Sequence, residues 1–175
     1  AGVAWNVIRV LYENYDMDKR EAEDLLDFVA MATVCDVMSL TGENRILVKE
    51  GLKRIRHTKN IGLQALMQAC NVQPENISAY HFGYVLGPCV NATGRLDTAR
   101  HALRLFETGQ ETEAEEIARD LVDLNQERKE LTLQGVEMAK KLCEEGGYEN
   151  DPILVLFLPD VHESIAGLIA GRIRE

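Results

Sequence analysis

Positive charge is scarce in this chain. Lys and Arg number 19 against 29 Asp and Glu, for a formal net charge of −10. Phosphate contacts need clustered Lys and Arg, so the balance argues against a stand-alone nucleic-acid binder, though not against a local basic patch. Cysteine is sparse and scattered. Cys35, Cys70, Cys89 and Cys143 lie far apart with no C-x-x-C. They read as reduced thiols of a cytoplasmic protein rather than a zinc site. No apolar run approaches the ~20 residues of a membrane span, and no signal peptide is visible. What is present is a core: 46% of residues are hydrophobic and 27% charged over 175 residues. That composition suits one folded domain or two small ones. The chain starts at Ala1 rather than Met, and amphipathic patterns are already under way at both ends. Both ends read as cut.

The most unusual stretch is Gly87-Pro88-Cys89-Val90-Asn91-Ala92-Thr93-Gly94-Arg95, set between apolar segments. Gly and Pro predict a tight turn there. Asn91 and Arg95 carry donors suited to phosphate or carboxylate oxygens. A turn of this kind at a helix N-terminus can receive an anion. The competing reading is a buried turn in which the two side chains satisfy local carbonyls. Asp97, just beyond, is placed to cap a helix.

Earlier in the chain, Trp5, Ile8, Leu11 and Tyr12 predict a helix over 3–12. Asp18 and Glu21 have the form of a capping box. The next helix runs into Met31–Met38, apolar almost all round, and so predicted buried. Asp36 falls in that stretch, where a lone carboxylate is expensive unless hydrogen-bonded or bound to a metal. After Thr41-Gly42-Glu43-Asn44, residues Ile46, Leu47, Gly51, Leu52 and Ile55 give an inner helix face. Arg45, Lys49, Lys53, Arg54, Arg56, His57 and Lys59 form the one dense basic cluster, either a phosphate contact or a solvated face. Pro74 opens another helix with Ile77, Tyr80, Phe82 and Val85, on which His81 reads as packed or hydrogen-bonded.

A long helix is predicted from about 111 to 145. Ala114, Ile117, Leu121, Leu124, Arg128, Leu131, Gly135, Met138 and Leu142 alternate by three and four, a heptad seam with two interruptions. It reads as a rod joining two domains, or as a partner-binding coiled coil. Gly135 implies close packing, and Gly146-Gly147 end the helix. Asp151-Pro152 then introduce Ile153–Leu158, a continuous apolar run expected to be a buried strand. A loop holding His162 and a helix from Ile165 follow. This is a strand–loop–helix opening of an α/β domain, with His162 at the strand's C-terminal end, where such folds place functional groups.

Four segments together resemble the RecJ family of single-strand-specific DNA exonucleases, within the DHH phosphoesterase superfamily. Asp27–Val37 is similar to the stretch whose final Asp is a metal ligand. Leu40–Arg45 with Gly51-Leu52 is similar to the family's GENR…GL segment. Gly87–Arg95 resembles its G-P-R-hydrophobic-N-A-x-G-R signature, and Val161–Arg172 the W-H-x-G-V-I-G-I-V-A-x-R opening of its second domain. Three residues depart from the pattern: Cys89 stands for the usual Arg, Val161 for Trp and Ser164 for Gly.

The resemblance implies an internal fragment, mainly α. Residues 1–108 would be the helical C-terminal part of an α/β DHH catalytic domain, 109–147 a connector helix, and 148–175 the start of a substrate-binding domain. It implies 5′→3′ hydrolysis of single-stranded DNA in repair and recombination, with Mn2+ or Mg2+ in the full-length enzyme. Asp36 would be a metal ligand, and Asn91, Arg95 and His162 would bind substrate. The Asp-His-His triplet is absent, so the chain alone is expected to be inactive and to bind no metal. The alternatives are another DHH phosphodiesterase acting on oligonucleotides or cyclic dinucleotides, and a non-catalytic helical interaction module. Uncovered apolar surface around 31–38 and 153–158 predicts a homodimer of the isolated chain.

Overall fold

Apolar residues spaced by three and four dictate helices, and a computed structural model of residues 1–148 and 153–174 is built of them. In chain order these are α1 (Gly2–Asn14), α2 (Lys19–Asp24), α3 (Leu26–Cys35), α4 (Gly42–Arg54), α5 (Ile61–Ala69), α6 (Ala79–His81), α7 (Gly87–Leu96), α8 (Ala99–Glu107), α9 (Glu111–Gly146) and α10 (Glu163–Arg174). A π-helical segment, Phe82–Leu86, joins α6 to α7 without a break. Side chains cap several starts. Asp18 accepts from the Arg20 amide at 3.0 Å, and Asn60 from the Leu63 amide at 2.9 Å. Ser78 and His81 form a reciprocal capping box, which fixes His81 as a structural residue. Glu21 does not complete a box with Asp18; it accepts from the Tyr12 hydroxyl at 3.3 Å. Asp97 is not a cap either: Thr98 holds the N-cap position of α8, and the Asp97 carboxylate pairs with His101 at 3.0 Å.

The main core gathers Ile55, Leu63, Leu66, Phe82, Leu86 and Leu105 around the first half of α9. Each such side chain contributes about 1.5–3 kcal/mol through burial. The α3–α4 pair closes one side of this core, with Val48 buried where Ile46 was expected and Ile46 turned outward. α9, 36 residues, is about 54 Å long. Its buried face follows the predicted seam to Leu121 but beyond Gly135 shifts by one position, leaving the seam residues Met138 and Leu142 exposed. Ala114, Ile117, Ala118 and Leu121 enter the main core, while Val136 and Ala139 pack with Ile165 and Ile169 of α10 in a second, smaller one. The chain's own helices therefore occupy most of the seam read as a partner surface. Gly135 marks a close approach there: a Cβ would lie 2.3 Å from Ile169 Cδ1, the mobile end of that side chain. Gly147 ends α9 in the left-handed conformation, φ 68°.

Among the described residues there is no strand. Ile153–Leu158 has no ladder partner there, and a strand exists only as part of a sheet. Ile153, Val155 and Phe157 are exposed, while Leu156 and Leu158 lean on the α9–α10 core. Asp151-Pro152 lies outside the described residues.

Candidate functional site

Gly87–Arg95 is a helix, not a turn. Pro88 sits in the first turn of α7, where a missing N–H and a fixed φ are tolerated. The small residues serve packing. Gly87 lets α3 approach so closely that a Cβ would fall 2.4 Å from Cys35 Sγ. Cys89, Ala92 and Thr93 face the core. Asn91 and Arg95, one turn apart, share the other face. On the α6 and π-helical approach to α7, Tyr80 and Tyr84 stack with centroids 5.1 Å apart, and both are exposed.

Arg95 reaches across to α10, donating from Nη1 to the Ser164 carbonyl at 2.6 Å. Ser164 is also tied to His162: its backbone N–H donates to His162 Nδ1 at 3.3 Å, and its hydroxyl lies 2.7 Å from the same nitrogen. An Nδ1 that accepts leaves the ring proton on Nε2, on an exposed side chain. Arg128, on α9, is near enough to Arg95 to feel its charge. Its Nε and Nη2 donate to Asn125 Oδ1 at 3.2 and 3.0 Å. Burial, then the nearby Arg95 charge, holds its guanidinium below the usual arginine range. Neither Arg95 nor Arg128 has a carboxylate partner among the described residues. Two guanidiniums near enough to feel each other's charge, with no carboxylate partner among the described residues, are chemically suited to an anion. In the sequence Arg128 stands out only as a break in the seam. That break is the available signal, since a cation on an apolar seam needs a reason to be there.

Asp36 lies elsewhere. α3 stops at Cys35, and Asp36 is its exposed C-cap, not a residue buried in apolar surroundings. Val37 adopts φ 55° in a Schellman-type stop: its N–H donates to Val34 O, and that of Met38 to Thr33 O. A β-branched residue in this region is strained. Val37 and Met38 are exposed, so the apolar stretch is buried only over its first part. Because Cys35 packs on Gly87, Asp36 sits near the start of α7 and Arg95 near its end, about 12 Å further along the helix axis. The Cys35 thiol is pushed up to about 11 by burial and then by the Asp36 charge. The structure thus brings Arg95 and His162 together, with Asn91 one turn away, and leaves Asp36 at the other end of α7. Its exposed carboxylate is accessible to a cation. Among the described residues no group of three His, Cys, Asp or Glu side chains is placed to hold a metal ion.

The basic cluster on and after α4 is partly neutralised. Arg54 pairs with Glu23 and Asp24, Lys53 with Glu50 at 2.6 Å, and Lys59 with Asp24 at 3.9 Å. The buried carboxylate of α3 is Asp27, whose Oδ1 has no partner among the described residues. It lines a cleft of about 610 Å³ shared with Arg54, His57 and Thr58. Burial pushes its carboxyl above the usual range.

No protein-family model matches the chain. It is 38% identical over 157 residues to the single-stranded-DNA-specific exonuclease RecJ of Escherichia coli K12, covering 87% of this chain and 27% of that protein. Its fold matches RecJ from Thermus thermophilus in complex with Mn2+, with TM-score 0.83 and 33% identity over 98% of this chain and 25% of the other. The Mg2+ complex of that protein matches equally, with TM-score 0.83 and 33% identity, over 98% of this chain and 26% of the other.

Proposed function

The chain is homologous to the RecJ single-stranded-DNA-specific exonucleases and spans about a quarter of their length, and from that premise we propose that it forms the DNA-guiding portion of such an enzyme. The observation that supports this reading is that Arg95 is tied to the His162 loop through Ser164 and lies near enough to Arg128 to feel its charge, where α7, α9 and α10 come together, without an acidic partner among the described residues. Arg95 and Arg128 receive backbone phosphates of a single strand, and the exposed Nε2–H of His162 donates to the same oxygens. Stacked Tyr80 and Tyr84 offer aromatic faces to bases along the same helical rod. Asn91, between the two, supplies an amide. Cys89 faces the core and takes no part in phosphate contact.

Divalent cations held by the complete enzyme would activate water and stabilise the leaving oxygen. Asp36 contributes one carboxylate ligand toward them, of the hard oxygen type that Mn2+ and Mg2+ favour. One carboxylate cannot hold a catalytic centre, so the isolated chain is inactive. The role is 5′→3′ degradation in DNA repair and recombination, in the cytoplasm.

In the full-length enzyme, Arg95→Gln and Arg128→Gln are each expected to raise KM for single-stranded DNA about tenfold, a charged hydrogen bond being worth about 1.5 kcal/mol. Each is also expected to lower the salt dependence of binding by about one phosphate's worth. An unchanged KM and salt slope in both variants would count against the reading.

A further inference from the structure

Cys70 closes the C-terminus of α5, and Cys89 sits on the core face of α7. Their sulfurs are 3.8 Å apart, and both are free thiols. No other thiol pair among the described residues is in contact; Cys35 donates to the Phe82 carbonyl at 3.4 Å, and Cys143 lies far along α9. We propose that Cys70 and Cys89 are a reversible disulfide site, oxidised by a peroxide, which fastens α7 to α5.

The surroundings prepare the two sulfurs for different parts. Cys89 is buried and donates to the Val85 carbonyl at 3.3 Å. Its sulfur also accepts from Asn125 Nδ2 at 3.5 Å, an amide oriented by the two Arg128 bonds to its oxygen. The Asn125 amide and the Cys70 S–H aimed at the sulfur favour the Cys89 thiolate, which gives up its own bond to the Val85 carbonyl. Arg128 and Lys129 add positive charge nearby, and the Cys89 thiol is held below its usual range, chiefly by the Cys70 S–H. Cys70 is half-buried and so meets a small oxidant first. Its thiol is raised, by donation to Cys89 and then by burial, which makes that first step slow. The chemistry balances. Cys70 S–H and hydrogen peroxide give the sulfenic acid and one water. The Cys89 thiolate then attacks the Cys70 sulfur, the S–O bond breaks, and hydroxide leaves to take up the thiol proton as a second water. Two thiols lose two electrons, and the peroxide O–O bond gains them. The sulfurs need to close from 3.8 Å to about 2 Å. α7 carries Asn91 and Arg95, so on the function proposed above the bond would also set the position of the DNA contacts.

The test needs no DNA, so it stands or falls apart from that reading. The purified chain is treated with hydrogen peroxide, alkylated and digested. The expected result is a loss of about 2 Da in intact mass, a cross-linked peptide joining Cys70 to Cys89, and full reversal by dithiothreitol. Cys70→Ser and Cys89→Ser should each abolish the cross-link, while Cys35→Ser and Cys143→Ser should leave it. If Cys35 or Cys143 is oxidised in preference, or if the sulfurs go to higher acids with no cross-link while the urea-unfolded chain forms one, the site does not exist.

Discussion

Asp36, read from the sequence as a carboxylate set in apolar surroundings, is exposed, and the buried carboxylate of α3 is Asp27. The cause is where α3 ends: the stop at Val37 turns the last residues of the apolar stretch outward. A helix stop made with a strained valine rather than glycine carries no readable signal in the pattern. The buried position has a pH consequence. A carboxyl raised in the folded state binds its proton more tightly there than when unfolded. Its contribution is therefore full below the unfolded carboxylate range and is lost as pH rises through the raised folded value. Asp27→Asn removes the buried charge. It should stabilise the chain at pH 7 by about 1 kcal/mol and make no difference below about pH 3.5. Calorimetry across that range checks it; an Asn variant less stable at pH 7 would mean that Asp27 is paired after all.

Helices differ in how plainly they are written. α9 is legible because three-four spacing persists for about eight turns and Gly146-Gly147 stops it. Gly135 rightly signals close packing, and Ile169 is the residue that comes close. α7 defeats the turn reading because Gly, Pro and Gly normally punctuate turns. Here Gly87 makes room for Cys35, Pro88 stands in a first turn, and Gly94 is exposed. The strand run is legible only as apolar sequence, since sheet formation depends on partners that this stretch does not itself encode. Resemblance singles out Arg95 and His162, but their meeting through Ser164 needs the fold. Gly135 offers a test at this scale. Gly135→Ala should be near neutral, since the helix gain of about 1 kcal/mol offsets a small shift of Ile169. Gly135→Leu should overpack the α9–α10 contact and cost about 1–3 kcal/mol. Hydrogen exchange would register the loss in α10 and not in α5 or α7; uniform loss would show that the two cores unfold together.

Among the described residues the two larger of three apolar clusters are joined by α9, while Leu26, Val29 and Leu47 form the third with Trp5 against them. The largest carries Asp36 at one end of α7; the second brings His162 and the α10 start against Arg95 at the other. Large apolar side chains stay uncovered at both ends, Val37 at 89% and Val155 and Phe157 above 80% exposure. Patches of this kind promote association. The isolated chain should therefore form dimers, read by light scattering at tens of micromolar; a strictly monomeric mass at that concentration would contradict this. The proposed role is that of the DNA-guiding quarter of a metal-dependent exonuclease. Its most direct test is a chimera in which these 175 residues replace the matching segment of the Escherichia coli relative. Mn2+-dependent loss of single-stranded DNA by the chimera, abolished by Asp36→Asn and absent from the chain alone, is the expected result. Degradation by the chain alone, or full activity with Asp36→Asn, would contradict it.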